Sequence, residues 1–170
     1  ILTINRRMIR RAFTSKEGIV IIYADYSQIE LRVIASMSGD KNMINAFNNN
    51  EDIHASTAAK IFGINIKEVT KEQRSHAKIV NFGIIYGVSA FGLSNQTNLT
   101  RSESKVIIDN YYNSYPSLKE FMTNQINYDR ENGFVKTLIG RKRFLTDINS
   151  RNRMIRSAAE RNAINTPVQG

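Results

Sequence analysis

Residues 70–87, TKEQRSHAKIVNFGIIYG, constrain the fold more than any other part of the chain. Thr70 is followed three residues later by Gln73, and this capping-box pattern predicts that a helix begins here. Gly87 is placed to end that helix at the position where glycine most often stops one. The sequence therefore predicts a single helix of about four turns with a defined start and a defined end.

One side of the predicted helix carries two cations and two aromatic rings, spaced every fourth residue: Arg74, Lys78, Phe82 and Tyr86. A four-residue step advances only about 40° around a helix, so these side chains form one slowly winding stripe. Cations one turn apart repel each other unless an anion lies between or above them. A polyphosphate would meet that need, with a sugar and a base against the rings. A solvated cationic end followed by a partly buried aromatic end fits the same spacing.

The opposite side of this helix is apolar at Ala77, Val80 and Ile84, which predicts the face that packs against the rest of the protein. Gly83 lies inside the helix, where glycine costs about 1 kcal/mol relative to alanine. A close approach of another group to the backbone would explain why glycine is tolerated there. We take Gly83 as favouring the ligand-binding interpretation of the stripe.

The second informative stretch is the apolar run at residues 19–24, which ends at Asp25. Because the run is short, β-branched and continuously apolar, it predicts a buried strand. A carboxylate at the end of a buried strand is a rigid mount for a hard divalent cation. Ser27 and Glu30 have the spacing of another capping box, so Glu30 also has a plain structural interpretation as a helix-start residue.

Composition limits the class of partner. The formal net charge of the 170 residues is +9, which indicates a polyanionic partner, most simply nucleic acid, although a solvated basic surface would carry the same charge. Residues 1–18 are rich in arginine, as in a phosphate-contacting edge or, equally, a surface strand or loop. Without cysteine there are no disulfides. No apolar run approaches the roughly 20 residues of a membrane span. The start lacks a signal-peptide core and an initiating Met, as expected of an excerpt.

Capping and breaking residues predict further elements. Asp52 is placed to cap a helix that ends before Gly63, and Thr100 with Glu103 forms a third capping box. A hairpin is predicted over residues 134–145, with its turn at 139–140. The predicted helices cover about 28–37, a short segment around 43–47, 52–62, 88–95, 100–113, 116–132 and 151–165. The expected fold class is therefore α+β and predominantly helical.

Two of these stretches together resemble family A DNA polymerases, the bacterial DNA polymerase I type. DYSQIELR (25–32) resembles the family's motif A, and R-x-x-x-K-x-x-N-F-G-x-x-Y-G (74–87) resembles motif B, the O helix of the fingers. TLIGRKRFL (137–145) resembles the segment T-L-x-G-R-[RK]-R, with Thr146 where proline is usual. AERNAINTPVQG (159–170) resembles A-E-R-x-A-x-N-x-P-x-Q-G. The motifs stand in the family's order, and the similarity runs through nearly the whole chain.

The resemblance implies part of the palm plus the fingers of a right-hand polymerase fold. Residues 1–37 would be the start of the palm, with the strand that ends in motif A. Residues 38–133 would form the helical fingers, and residues 134–170 a hairpin and helix that return to the palm.

The resemblance also implies a site for an incoming dNTP. Asp25 would hold two Mg²⁺ ions with the help of the Tyr26 carbonyl, and Asp25, Arg74 and Lys78 would be catalytic. The residues implied to contact the nucleotide are Gln28, Glu30, His54, Arg74, Lys78, Phe82 and Tyr86. Glu30 would exclude the 2′-hydroxyl of a ribonucleotide. Those implied to contact DNA are Tyr86, Arg161, Asn165 and Gln169.

His54 belongs to this set only through the resemblance, on the stretch EDIH at 51–54. A lone histidine is more often a structural hydrogen-bonding residue than a ligand-binding one. His76 has no counterpart among the family's functional residues, and we predict that it lies on the surface.

The implied activity is the transfer of a nucleotide from a dNTP to a primer 3′-hydroxyl, in DNA replication and repair. The implied partners are primer–template DNA and dNTP, and no membrane is involved. The protein is expected to be a monomer. It would be found with the nucleoid in the cytoplasm, or in an organelle if the source is eukaryotic. The family's second metal-binding aspartate lies in an H-D-E segment, which this sequence does not contain. We therefore expect these 170 residues alone to be inactive.

Two alternatives stay open. A single-subunit RNA polymerase shares the motif A aspartate and the cationic helix, although Glu30 and Phe82 argue against it. A non-catalytic nucleic-acid-binding module derived from a polymerase is the other.

Overall fold

The computed structural model describes residues 10–97 and 99–170. Helices dominate this part of the chain: α1 (Ile29–Ser38), α2 (Lys41–Asn48), α3 (Ile53–Phe62), α4 (Lys71–Ile85), α5 (Ala90–Ser94), α6 (Arg101–Ser114), α7 (Pro116–Asn132) and α8 (Arg153–Gln169). Short 3₁₀ turns lie at Arg10–Ala12 and Ile66–Glu68. Strands β1 (Phe134–Lys136) and β2 (Lys142–Phe144) form one antiparallel hairpin, with Val135 opposite Arg143. The predicted α+β, mainly helical fold class is confirmed.

The helix starts follow local capping chemistry. Thr70 and Gln73 form the predicted reciprocal capping box at α4, and Thr100 and Glu103 form the same box at α6. The Asp52 carboxylate accepts the amides of the second and third residues after it, at the start of α3. These three predicted starts are confirmed. They could be predicted because the donor and acceptor of each cap lie within three residues of each other.

The predicted capping box at Ser27 and Glu30 is wrong. Gln28 occupies the cap position of α1 in a left-handed conformation, with φ 55°, and no side chain caps the helix. The Glu30 carboxylate is engaged elsewhere, with the hydroxyl of Tyr86 and the amide of Gln169. Glu30 therefore bonds to Tyr86 and Gln169, which are distant in sequence, instead of capping its own helix.

The buried strand predicted at residues 19–24 is also wrong. These residues have no strand pairing, and Ile22 and Tyr23 are each 85% exposed. A strand needs a hydrogen-bonding neighbour, and in the part of the chain that the structure describes β1 and β2 pair only with each other. The apolar run is therefore left open to solvent.

Two helix boundaries at the C-terminal side differ from the predicted ones. The predicted helix at 88–95 is shorter, because Ser89 caps α5 and its hydroxyl accepts the Gly92 amide. Helix α8 continues through Pro167, beyond the predicted end at residue 165. Proline in the last turn removes a single amide donor, and the Gly170 amide still donates to the Thr166 carbonyl at 3.0 Å.

The main hydrophobic cluster joins α1, α3, α4, α6 and α7, and its buried members include Leu31, Ile34, Ile53, Val80, Ile84, Ile107, Tyr111 and Leu118. The predicted packing face of α4 is confirmed, since Ala77, Val80 and Ile84 are each 1% exposed. A smaller cluster lies under the hairpin, at Val135, Leu145, Ile148, Ala159 and Ala163. Helices α3 and α4 pack against each other and share the main cluster, so their N-terminal ends are held side by side.

Gly83 is in close contact with the chain itself. A Cβ at this position would lie 2.9 Å from Cγ1 of Val88, which folds back after the turn at Gly87, where φ is +68°. The close approach predicted at Gly83 is therefore real, and the approaching group is the side chain of Val88. Gly83 lends no separate support to a bound ligand.

None of the helices in residues 10–97 and 99–170 combines the length and the apolar run that crossing a membrane requires. Of the arginine-rich edge predicted at residues 1–18, Arg6 and Arg7 lie outside the described residues, while Arg11 and Lys16 are exposed.

Candidate active site

A cleft of about 470 Å³ opens between the segment before α1, the N-terminal end of α3 and the polar side of α4. It is lined by Asp25, Tyr26, Gln28, Ile29, Glu30, His54, Arg74, Lys78 and Phe82. We call it the α4 cleft. Its volume lies in the range of small-molecule sites, about 300–1,000 Å³. The structure thus brings together eight of the residues singled out from the sequence, from positions up to 57 residues apart, and their roles stay predictions.

The stripe on α4 changes from charged to aromatic along the helix. Arg74 and Lys78 are exposed, whereas Phe82 and Tyr86 are half-buried. The rings of Phe82 and Tyr86 are stacked with centroids 6.5 Å apart, and the His54 ring lies 5.9 Å from that of Phe82. Such a surface offers charge to an anionic group at one end and a flat apolar face at the other.

An ion pair joins the N-terminal ends of α3 and α4. Arg74 Nε donates to Oδ2 of Asp52 at 2.6 Å. Partial burial alone would raise the pKa of Asp52, but the Arg74 hydrogen bond and the capped amides outweigh it and lower that pKa overall. From the sequence, Asp52 is predicted only as a helix cap, because a contact across 22 residues leaves no local signal.

His54 is buried, with 3% of its surface exposed, although it lines the cleft. Its Nδ1 lies 2.9 Å from Nδ2 of Asn81. Burial lowers the pKa of His54 to about 4, and the charge of Arg74 acts in the same direction. Asp52 opposes this shift, and Lys78 adds to it. The imidazole is therefore neutral at neutral pH.

The lowered pKa of His54 predicts a pH-dependent stability. An unfolded histidine takes up a proton near its ordinary value of 6.5, whereas the folded one does so only near 4. Acidification from pH 7 to pH 5 should therefore lower the free energy of unfolding by about 2 kcal/mol through this group. Urea denaturation of the wild type and of His54→Gln at both pH values measures it.

The difference between the two proteins isolates His54. Asp129 titrates in the same range with the opposite sign, because burial raises its pKa to about 6, but it contributes equally to both proteins. Equal pH slopes in wild type and variant would contradict the assignment.

Glu30 is held by residues from two other parts of the chain. The Tyr86 hydroxyl donates to Oε2 of Glu30, and Nε2 of Gln169 donates to Oε1 at 3.4 Å. Burial raises the pKa of Tyr86, and the hydrogen bond to Glu30 adds to it, so the phenol keeps its proton and remains a donor. The carboxylate is thus fixed in the cleft wall by contacts that span 56 and 139 residues of sequence.

Asp25 lies in the cleft as an exposed carboxylate. Among residues 10–97 and 99–170 there is no group of three or more His, Asp or Glu side chains that could hold a metal. Asp25 and Tyr26 together offer a carboxylate and a backbone carbonyl. Mg²⁺ is commonly bound by one or two carboxylates, with water and substrate phosphates completing its shell. The oxygen donors fit a cation shared with a phosphate ligand.

The residues implied to contact DNA line two further clefts. Arg161 lines a separate cleft of about 510 Å³ that Lys78, Phe82 and Tyr86 also line. Asn165 and Gln169 lie in a groove of about 430 Å³ between the hairpin and α8, with the basic side chains of Arg141, Lys142 and Arg143. We call it the basic groove. The structure therefore separates Arg161 from Asn165 and Gln169.

The basic groove contains cations whose contacts the sequence does not predict. Arg141 Nη2 donates to the Gly170 carbonyl at 3.0 Å, and Arg143 Nη1 donates to Oγ1 of Thr166 at 3.3 Å. The run GRKR at 140–143 was the available signal. Asn81 was missed as well, and its signal was a polar residue on the buried side of α4. His76, predicted to lie on the surface, is half-buried and lines none of these clefts.

The chain is similar to known polymerases along its whole length. Residues 1–170 match the family described as DNA polymerase family A. The chain is 50% identical over 164 residues to DNA polymerase I of Caldicellulosiruptor bescii, covering 96% of this chain and 19% of that protein. For DNA polymerase I of Geobacillus stearothermophilus the identity is 48% over 165 residues, with the same coverage. The chain thus spans about a fifth of the length of these relatives.

A solved structure agrees with the sequence relationship. The POL domain of Pol1 from M. smegmatis, in complex with DNA primer–template and dNTP, superposes with a TM-score of 0.84 at 40% identity. The match covers 96% of this chain and 29% of that one. By sequence along its full length and by fold, the chain belongs to DNA polymerase family A.

Proposed function

We propose that this chain is part of a DNA-directed DNA polymerase that transfers a nucleotide from a dNTP to a primer 3′-hydroxyl. The observation that carries the proposal is the α4 cleft, where a carboxylate at Asp25 faces the cations Arg74 and Lys78. The solved relative with DNA primer–template and dNTP supports the choice of partners. The protein would act as a monomer at the DNA, with the nucleoid in the bacterial cytoplasm or in an organelle.

The triphosphate would lie along the charged end of the stripe. Arg74 holds the terminal phosphate, and Lys78 neutralises charge near the reacting phosphorus and protonates the leaving pyrophosphate. His54 and Gln28 hold the triphosphate from the side. Since His54 is neutral, it contributes a hydrogen bond without adding to the repulsion between the two cations.

Asp25 and the Tyr26 carbonyl would hold the Mg²⁺ ions. When bound, such ions would supply positive charge that stabilises the negative charge developing during the transfer. A single carboxylate cannot hold both ions, so we propose that a second one comes from outside these 170 residues. The 170-residue chain alone would then be inactive.

The sugar, base and duplex would occupy the aromatic end and the clefts beyond. Phe82 packs on the sugar, and Tyr86 lies against the base pair. Arg161 with Asn165 and Gln169 contacts the duplex, in the positions where the second cleft and the basic groove open.

We further propose that residues 1–37 and 134–170 are palm and that residues 38–133 are fingers. In this arrangement α4 moves toward Asp25 when the correct pair forms, which makes the reaction conditional on fit.

Glu30→Ala should admit ribonucleotides. The Glu30 carboxylate, fixed by Tyr86 and Gln169, would fill the space that a 2′-hydroxyl needs, so removing it opens that space. We expect the ratio of kcat/KM for dCTP over CTP to fall by about tenfold or more. Primer extension with each nucleotide measures the ratio in the full-length polymerase. Glu103→Ala, a helix-cap glutamate on α6, is the matched control, and an unchanged ratio in Glu30→Ala would remove the gate assignment.

Primer extension by the full-length protein also tests the function itself. A DNA polymerase extends a primer with dNTPs in preference to NTPs, a single-subunit RNA polymerase shows the reverse preference, and a binding module extends nothing while still binding DNA. Fluorescence anisotropy with a labelled primer–template measures that binding separately. Either of the last two results contradicts the proposal.

A further inference from the structure

A chain of buried hydrogen bonds leads from the α6–α7 junction to His54 in the α4 cleft. It runs through Tyr115, Thr57 and Asn81. We propose that Asn81 is a positioning residue that fixes His54 in one tautomer, with the ring hydrogen on Nε2, so that the histidine donates a hydrogen bond to a phosphate oxygen in the cleft. The inference rests on the proposed function and deepens it.

The members of the chain are shielded from water. Thr57, Asn81 and Tyr115 are 0% exposed, and His54 is 3% exposed. Thr57 Oγ1 donates to Oδ1 of Asn81 at 3.1 Å and lies 3.2 Å from the Tyr115 hydroxyl, while Asn81 Nδ2 lies 2.9 Å from His54 Nδ1. Buried polar groups without a partner cost about 1–3 kcal/mol each, so a closed chain of this kind has one strongly preferred direction.

The direction follows from counting hydrogens. Thr57 has a single hydroxyl hydrogen, which it gives to the Asn81 carbonyl oxygen. It must then accept the hydrogen of Tyr115. The Asn81 amide nitrogen can only donate, so His54 Nδ1 must accept and carries no hydrogen. A neutral imidazole has one ring hydrogen, which therefore lies on Nε2.

The reversed direction leaves a group unsatisfied. If the Asn81 carbonyl faced His54, the ring hydrogen would lie on Nδ1 and Thr57 would accept from the Asn81 amide. Thr57 would then donate to Tyr115, whose own hydroxyl hydrogen would have no acceptor among the hydrogen bonds of the described residues. The first arrangement gives the hydroxyl hydrogens of both Thr57 and Tyr115 an acceptor.

This tautomer suits a triphosphate. Phosphate oxygens only accept hydrogen bonds, so an Nε2 that carries hydrogen attracts them and a bare Nε2 repels them. The groups that face His54 are Asp52 on the cap of α3 and the cations Arg74 and Lys78 on α4. Burial and the two cations disfavour a charged ring and keep the pKa of His54 near 4. The histidine thus donates through a hydrogen that Asn81 places.

Nitrogen-15 NMR of the ring tests the tautomer directly. The 170-residue chain has two histidines, so His54→Gln assigns the signals. We expect wild-type His54 to show a protonated Nε2 and a bare Nδ1 from pH 6 to pH 8. In Asn81→Asp the carboxylate can only accept, so the hydrogen moves to Nδ1. Thr57→Val removes the hydrogen bond that orients the Asn81 side-chain amide, so His54 should show a mixture of both tautomers.

Tyr112→Phe is the matched control, because it removes a nearby hydroxyl that contacts Met122 Sδ at 3.7 Å and lies outside the chain of hydrogen bonds. It should keep the wild-type pattern. Wild-type His54 protonated on Nδ1, or an unchanged tautomer in both Asn81→Asp and Thr57→Val, overturns the proposal.

The functional readout uses the full-length polymerase. Thr57→Val, which adds no charge, should raise KM for dNTP by about threefold and Asn81→Asp by about tenfold or more, with the affinity for primer–template unchanged. A loss of DNA affinity as large as the rise in KM, or an unchanged KM in both variants, overturns the positioning role. If the variants of the isolated chain do not fold, this measurement on the full-length polymerase decides between the outcomes. If the proposed function is wrong, the wild-type protein incorporates no nucleotide, but the NMR experiment still shows the expected tautomer of His54.

Discussion

Asp25→Asn should lower the rate of nucleotide incorporation by about a thousandfold or more. Asparagine keeps the size of the side chain but removes the charge that we propose to anchor the divalent cations. A loss of about 4 kcal/mol in transition-state stabilisation corresponds to this factor. Single-turnover primer extension by the full-length polymerase at saturating dNTP and Mg²⁺ measures the rate.

The Asp25 prediction has a second readout that does not depend on turnover. Affinity for Mn²⁺ in the presence of dNTP should fall in Asp25→Asn, whereas binding of primer–template should stay within about threefold of wild type, because Asp25 makes no DNA contact in the proposal. Asp109→Asn, an exposed aspartate on α6, is the matched control and should behave like wild type in every assay. Incorporation within about tenfold of wild type by Asp25→Asn would remove Asp25 from the catalytic set.

Lys78→Ala should lower kcat by roughly a hundred- to a thousandfold, with a much smaller effect on DNA affinity. Lys78 is exposed on the stripe of α4 and lines the cleft beside Asp25. Loss of one preorganised charge at developing negative charge costs about 3–4 kcal/mol in enzymes of other classes. Because Lys78 would act mainly in the transition state, the loss belongs in kcat.

Two variants of the same helix sharpen the Lys78 test. Lys71→Ala removes a cation from the first turn of α4, at an exposed position that lines none of the three clefts described above, and should leave kcat unchanged. Lys78→Arg keeps the charge, but arginine does not donate its proton easily. Relative to Lys78→Ala, it should therefore restore dNTP binding more than kcat. Equal losses in kcat and in DNA affinity for Lys78→Ala would count against the assigned role.

The elements that could be predicted from sequence are those whose causes are local. The capping boxes at Thr70 and Thr100 were predictable because each forms within a span of four residues. The stripe on α4 follows from helix geometry, and so does its buried opposite face. Other residues of the α4 cleft, such as Gln28 and His54, came only from the family resemblance, which identifies side chains without showing their contacts.

The remainder depends on contacts between distant residues. The run at residues 19–24 has strand-forming residues, but a strand also needs a neighbour. Glu30 has the spacing of a cap, yet Tyr86 and Gln169 take its carboxylate. Asn81 is one polar residue on an apolar helix face until Thr57 and His54 are seen beside it. Pattern alone assigns none of these partners.

Lys78 and Phe82 each line two clefts, the α4 cleft and the cleft that contains Arg161. A rearrangement of these two side chains in one cleft therefore also changes the lining of the other. An occupant of one cleft that moved Lys78 or Phe82 would change the affinity of the other cleft for its ligand, and linkage makes such coupling equal in both directions. An occupant of one cleft that strengthened binding in the other by some factor would itself be bound more tightly by that same factor.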